Sequence, residues 1–342
     1  MTKRMLKKRV SKKALKKALV TAITVLSISP LAVHAQSAVT VYGIVDTGLT
    51  IGAGGPHGTD IRMSSGVQDV SRWGIIGKED IGNKMAVIFK LEDGFLSDTG
   101  AGDTANTIFS RQSTVGLTGG FGTVNVGLQF TPMYKVLSPL TPFGNAFGGS
   151  PGQLMSGEKA GTRAANQVVY DTPDLHSFRG EIAYSLGEVP GDYTANQQLG
   201  LSMGYDIGPA RIEFAHNQKN DVANINVAKN ELLTAKIDLG LFVTHLGFGV
   251  NRGPSTTDSR DILVGVSKKF LGVHEIYFAY QHKNDLNNHF FNASEGTIDY
   301  TYSLSKRTNL YIAATKLSNI RFTTTKFGTG DREFDFGIRH RF

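Results

Sequence analysis

The side chains able to make or break bonds are scattered through this chain of 342 residues, and their spacing assembles no reaction centre. Cysteine is absent, which removes thiol catalysis, Cys-ligated zinc or iron–sulfur sites and disulfide staples. His216, His245, His274, His282 and His289 stand without metal-ligand spacing, so no metal is expected. Glycine is plentiful, yet no glycine-rich loop ends in Gly-Lys-Ser or Gly-Lys-Thr to cradle a phosphate. A Ser/His hydrolase would need a third orienting group, and no local nucleophile motif points to one. Asn292-Ala293-Ser294 fits a glycosylation sequon, a pattern short enough to arise by chance. No enzyme activity and no cofactor are expected. What the charged residues offer is electrostatics. Lys90 with Glu92, Arg211 with Glu213, and Asp335 with Arg339 are spaced by even numbers, which places each pair on one face of an extended chain. Such faces can sort ions in a wet space.

The elements that carry these faces are strands. Val39, Val41, Val45, Leu49 and Ile51 alternate with Thr40, Tyr42, Asp46 and Thr50 near one end of the chain. Phe334, Phe336, Ile338 and Phe342 alternate with Glu333, Asp335, Gly337, Arg339 and Arg341 at the other. Period two marks strands with one apolar and one polar face. It recurs often enough to predict 16 strands, at 38–52, 70–78, 84–95, 108–118, 122–130, 166–172, 179–187, 197–206, 209–218, 229–239, 241–251, 261–270, 274–283, 294–304, 308–318 and 331–342. First and last are alike, so they can pair and close a barrel. Short turns such as 79–83, 119–121, 206–209 and 305–307 alternate with long polar connections at 52–69, 97–107, 131–165, 187–196, 219–228, 283–293 and 319–330. That alternation describes an outer-membrane barrel, with turns at one rim and loops at the other. A barrel of 16 strands is too wide to fill with side chains and holds water. An Arg or Lys on its lipid face would cost ~2–4 kcal/mol at mid-membrane, so the charged faces belong inside.

The formal charge of +7 has a separate origin. Nine of the 36 Lys and Arg fall in the first 17 residues, followed by an apolar stretch over 18–28 and small residues at Val33 and Ala35. This is the layout of a secretory signal peptide, over residues 1–35, cleaved before Gln36. Eleven apolar residues are too few for a spanning helix, which needs ~20. The remaining chain, 36–342, carries 27 Lys and Arg against 29 Asp and Glu. Nucleic acid thereby loses its main support as a partner.

Several stretches resemble a known family. Residues 36–50 (QSAVTVYGIVDTGLT), 63–95 (MSSGVQDVSRWGIIGKEDIGNKMAVIFKLEDGF), 109–134 (FSRQSTVGLTGGFGTVNVGLQFTPMY), 302–311 (YSLSKRTNLY) and 337–342 (GIRHRF) are similar to the general diffusion porins of β-proteobacteria, of the Burkholderia, Bordetella and Neisseria type. The resemblance implies a homotrimer of 16-stranded barrels in outer-membrane lipid and lipopolysaccharide. It also implies a third loop, here 131–165, folded into the lumen to leave a narrow eyelet. Arginines at that constriction correspond to Arg72, Arg111 and Arg163, and a wall acid to Glu92. Phe342, with Ile338 before it, is similar to the terminal signal read by the barrel-assembly machinery. Two departures are Leu128 and Thr141, where the family commonly carries Arg and Asp.

The residues add their own reading. Alternation places Arg72 in the lumen and Trp73 and Ile75 on the lipid side. Arg111 shares parity with Val115 and Leu117, so it needs a bulge or a position beyond the lipid band. The connection 131–165 is too long for a plain linker, and Met133, Tyr134, Leu140, Phe143, Phe147 and Leu154 predict that it packs on something. Its one acid, Glu158, faces Lys135, Lys159 and Arg163; with Lys90 these complete the expected constriction. The expected function is a water-filled channel for passive diffusion of small hydrophilic solutes and ions, weakly to moderately anion-preferring. The alternatives are a substrate-specific channel and a barrel serving mainly as a surface adhesin.

Overall fold

The computed structural model describes residues 38–142, 144, 147–155, 161–253, 258–319 and 330–342. The leader expected over 1–35, and Phe143, Glu158 and Lys159, lie outside them. The alternating segments form β1 (Ala38–Gly55), β2 (Gly58–Ser65), β3 (Arg72–Gly82), β4 (Met85–Gly94), β5 (Gln112–Gly119), β6 (Gly122–Phe130), β7 (Arg163–Asp171), β8 (Phe178–Ser185) and β9 (Gln198–Ile207). They continue as β10 (Ala210–Asn220), β11 (Val227–Asp238), β12 (Val243–Arg252), β13 (Ser259–Phe270), β14 (His274–Asp285), β15 (Ala293–Ser303), β16 (Thr308–Leu317) and β17 (Arg332–Arg341). A short helix, α1 (Pro132–Leu137), follows β6. From β3 onward each strand pairs antiparallel with the next in sequence, β1 pairs with both β2 and β3, and β1 pairs with β17 from Ile44↔Arg341 to Ala53↔Arg332. The sheet therefore closes on itself. Phe342 extends that seam, exchanging backbone hydrogen bonds with Gly43.

Seventeen strands make 16 staves, because β2 and β3 are two halves of one. Both pair with β1, β2 along Thr47 to Gly55 and β3 along Ala38 to Ile44. The loop expected over 52–69 is thus largely wall. A turn through Pro56 and His57, flanked by Gly54 and Gly58 at φ 81° and 83°, sends the chain back as β2. Its alternation is only two apolar residues long, Ile61 and Met63, both exposed on the outer face. The turn expected over 79–83 is also shorter: β3 and β4 run on until only Asn83 and Lys84 are left, at φ 53° and 59°. Those angles fit the two-residue turns that match strand twist.

Burial runs opposite to that of a water-soluble barrel. Ile262, Val264 and Val266 are exposed, while Asp261, Leu263 and Ser267, of the opposite parity, are buried. Phe334, Phe336 and Ile338 are exposed, and Glu333 and Asp335 are fully buried. Apolar side chains cover the outside because the surrounding solvent there is hydrocarbon, and the polar faces turn inward as the alternation predicted.

Part of the inner wall is covered by the segment that starts at Thr131. Its hydroxyl accepts from the Tyr134 amide and Pro132 supplies the first turn, so α1 begins where the wall ends. Met133, Val136, Leu137 and Leu140 pack on Ala215, Leu232 and Leu263. Phe147 enters a second cluster with Tyr277, Ala279, Tyr311 and Ala313, and Leu154 a third with Ala293 and Leu317. The wall receives the segment because its inward positions here are small. A side chain at Gly200 would press on Pro132, and one at Gly247 on Leu140. At ~1.5–3 kcal/mol for each buried large side chain, Met133, Leu137, Leu140, Phe147 and Leu154 together contribute on the order of 10 kcal/mol, an upper bound. Polar pins fix the path. His245 Nδ1 donates to the Leu140 carbonyl at 2.8 Å, and Gln281 donates to that of Ser150 at 3.0 Å.

The break between β2 and β3 leaves residues 66–70 folded into the lumen and strips Asp46 of its ladder partners. Side chains replace them. Asp46 N donates to Ser71 Oγ at 3.0 Å, and Gly66 N and Ser97 Oγ donate to the Asp46 carbonyl at 2.9 and 2.8 Å. Within a membrane an unpaired backbone group costs several kcal/mol, so this repair makes the break tolerable. Ser71→Ala is expected to destabilise the folded barrel by ~1–3 kcal/mol, read as a lower urea midpoint in detergent. An unchanged midpoint would show that the Ser71 hydroxyl is dispensable.

Candidate functional site

The remaining lumen opens beside the packed segment, and charged side chains from five staves and α1 converge on it. Glu92 on β4 is the hub. Arg111 Nε donates to its Oε1 at 2.9 Å, Tyr42 OH donates to Oε2 at 2.7 Å, and Lys90 Nζ and Arg72 Nε stand at 3.6 and 3.8 Å from Oε2. Tyr42 reaches so far because Gly74 lies between the two: Tyr42 faces Gly74, and Gly74 faces Glu92. A Cβ on Gly74 would come within 2.7 Å of both the Tyr42 hydroxyl and the Leu91 carbonyl. The absence of a side chain there is what lets a phenol cross a stave.

Arg72 opens β3 and faces the lumen, with Trp73 outward. Arg111 resolves its parity conflict by preceding β5, which starts at Gln112, after Phe109 takes a φ of 58°. Its backbone amide still bonds the Glu92 carbonyl, at 3.1 Å, and its side chain is then free to turn inward. Lys135 projects from α1 to Glu181 at 2.9 Å and Asp171 at 3.5 Å. Arg163, the first residue of β7, lies over the Phe130 ring at 4.7 Å and lines a neighbouring recess with Asn166, Glu188 and Lys219. Phe130 also lines the space that Arg72, Arg111, Lys90, Lys135 and Glu92 share, so Arg163 adjoins that ring.

That ring encloses a space of about 570 Å³, and three of its cations were not assigned to the constriction from sequence: Lys236, Arg339 and Arg341. Arg339 and Arg341 share parity with the buried Glu333 and Asp335, and Lys236 with the buried Leu232 and Thr234, so alternation already turned them inward. Their height in the barrel was the missing information. It follows from register, which sets Arg341 against Ile44 and Ile44 against Arg72. Asp69, from the inward-folded residues between β2 and β3, was also missed. Among the described residues, Arg72, Lys90, Arg111, Lys135, Lys236, Arg339 and Arg341 line the space against two carboxylates, Asp69 and Glu92. Thr141 lines it without charge, its hydroxyl spent on the Gly144 carbonyl at 2.9 Å. Among the described residues of this ring, none is arranged as a nucleophile with a base. Its chemistry is that of a positive potential focused across a narrow aqueous gap.

Comparison with known proteins adds family and fold. Residues 22–320 match the family model described as Gram-negative porin. An outer membrane porin protein of Bordetella pertussis is 28% identical, with 91% of this chain and 96% of that protein covered. Outer membrane porin protein 32 of Delftia acidovorans is 29% identical over 94% of this chain and 98% of its own length. Among solved structures, an anion-selective porin from Comamonas acidovorans superposes with a TM-score of 0.75 at 25% identity, covering 90% of this chain and all of that one.

The Tyr42–Glu92 contact can be isolated by a double-mutant cycle. Tyr42→Phe and Glu92→Gln are expected to couple by about 1 kcal/mol or more in urea unfolding. Additive effects would mean that the phenol and carboxylate act independently.

Proposed function

The chain belongs to the Gram-negative porin family, channels for passive diffusion of small hydrophilic solutes and ions across the outer membrane, and from that premise we propose that its pore prefers anions and that the ring around Glu92 sets the preference. The observation that carries this reading is the excess, among the described residues, of seven cations over two carboxylates around one constriction. In a narrow gap with low-dielectric walls such an excess attracts anions and repels cations. Arg72, Arg111 and Lys90 act through a shared hub, so their charges stay fixed in place while Glu92 cancels only one of them. Lys135 is partly neutralised by Glu181 and Asp171 and contributes less. Arg163 borders the ring from an adjoining recess.

The anion selectivity of the Comamonas protein agrees with this assignment. The chain acts without chemistry of its own: solutes pass by size and charge, with no covalent step. The active unit is proposed to be a homotrimer in outer-membrane lipid and lipopolysaccharide. Export would proceed by cleavage after Ala35, and assembly by recognition of the C-terminal strand. Phe342 and Ile338 suit that last role, since both are exposed on the outer face at the closing seam.

In a planar bilayer under a potassium chloride gradient, the reversal potential should report chloride as more permeant than potassium. Arg72→Ala should lower the chloride-to-potassium ratio by about twofold or more, an effect weakened by high salt. A cation-selective wild-type pore, or a ratio untouched by Arg72→Ala, would overturn the assignment. N-terminal sequencing of protein from outer membranes should begin at Gln36; retention of residues 1–35 would refute cleavage.

A further inference from the structure

The six residues 66–71 that interrupt the second stave do more than break it. They form a second segment folded into the lumen, facing the one that starts at Thr131, and they are held from both sides. The Asp46 carboxylate accepts from the backbone amides of Gln68 at 3.0 Å and Asp69 at 2.7 Å, and from Tyr311 OH at 2.7 Å. Gln68 bonds Thr301 at 3.2 Å and Asn309 at 2.6 Å, while Val67 packs with Phe147 and Tyr311. The backbone of Asp69 is therefore pinned, and its side chain points at arginines from two different staves. Oδ1 accepts from Arg72 Nη1 at 2.7 Å; Oδ2 lies 3.7 Å from Arg339 Nη1 and 3.7 Å from Arg341 Nη2.

The two carboxylates of the ring are not equivalent. Glu92 is 3% exposed at the side chain and fully engaged with Arg111, Tyr42, Lys90 and Arg72. Asp69 is 25% exposed, hydrogen-bonded to one arginine and beyond hydrogen-bond distance of the other two. We propose that Asp69 is a built-in counter-anion of the constriction. Its carboxylate occupies the place between Arg72, Arg339 and Arg341 that a passing anion would take, and so keeps anions from being held there. Conduction needs binding strong enough to admit an ion and weak enough to release it. A tethered carboxylate that competes for the same guanidinium groups supplies the second half of that condition. The inference rests on reading the ring as the selectivity-determining site, and it names a residue that the ring's excess positive charge alone would not single out.

The test is Asp69→Asn, which keeps the shape and the backbone amide held by Asp46. In bilayers at low salt, the chloride-to-potassium permeability ratio should rise about threefold, and conductance should saturate at a lower chloride concentration than in the wild type. Asp69→Glu should restore both properties toward wild type, and the pair Asp69→Asn with Arg341→Gln should return the ratio part of the way. Should Asp69→Asn fail to reach the folded, heat-modifiable form, Asp69→Ser carries the same test. An unchanged or lower ratio with unchanged saturation overturns the counter-anion role. The change on substitution tests Asp69, whereas the sign of the wild-type reversal potential tests the ring. A wild-type pore without anion preference whose ratio still rises on Asp69→Asn would support the former and remove only the latter.

Discussion

Hydrocarbon offers no hydrogen bonds, so a sheet that crosses it must satisfy every backbone group internally. That single constraint dictates closure, and closure is made by the pairing of β1 with β17 along ten residue pairs. Once the sheet is a ring of 16 staves, alternation assigns each side chain to lipid or to lumen. The same constraint governs the one place where the ring is imperfect. Between β2 and β3 the lost ladder bonds of Asp46 are replaced by Ser71, Ser97 and Gly66, and the chain uses the gap to send residues into the lumen. A defect in the wall becomes a part of the pore.

What the lumen contains follows from an uneven division of its wall. The staves from β10 to β16 present Ala215, Gly247, Ala279 and Ala313 at inward positions, and the segment after Thr131 settles there through Leu140, Phe147 and Leu154. The staves on the other side, β3, β4 and β17, present Arg72, Lys90, Glu92, Arg339 and Arg341. Packing therefore fills one half of the cross-section and leaves the charged half as the passage. The wall glycines serve both halves, letting the segment approach at Gly200 and Gly247 and letting Tyr42 cross Gly74 to Glu92.

Much of this was legible in the sequence, for reasons that differ by level. Strands such as β13 and β17 announce themselves because lipid on one side and water on the other force a strict two-residue period. Arg72 was readable because it sits inside that period beside Trp73. The half-stave β2 was not, because its only apolar residues are Ile61 and Met63 and its neighbours look like loop. Arg339 and Arg341 had the right face but no height, which only register against Ile44 and Arg72 provides. Asp46 and Asp69 were invisible as a pair. Their meeting depends on the backbone folding inward at residues 66–70, an event without a local sequence signature. Arg163 was grouped with the ring by resemblance; its guanidinium stacks on Phe130, which also lines the gap, and it lines an adjoining recess.

The chain's lack of native cysteine allows a direct measurement of the central claim, that the gap beside the packed segment is the ion path and carries a positive potential. Ser138, which lines that gap, can be replaced by Cys and exposed to methanethiosulfonate reagents of opposite charge during bilayer recording. The anionic sulfonate reagent should react about tenfold faster than the cationic trimethylammonium reagent at low salt, and modification should lower conductance. The same substitution at the outward-facing Val264 should leave conductance unchanged. Equal or faster reaction with the cationic reagent at Ser138→Cys, or modification there without effect on conductance, would contradict the account.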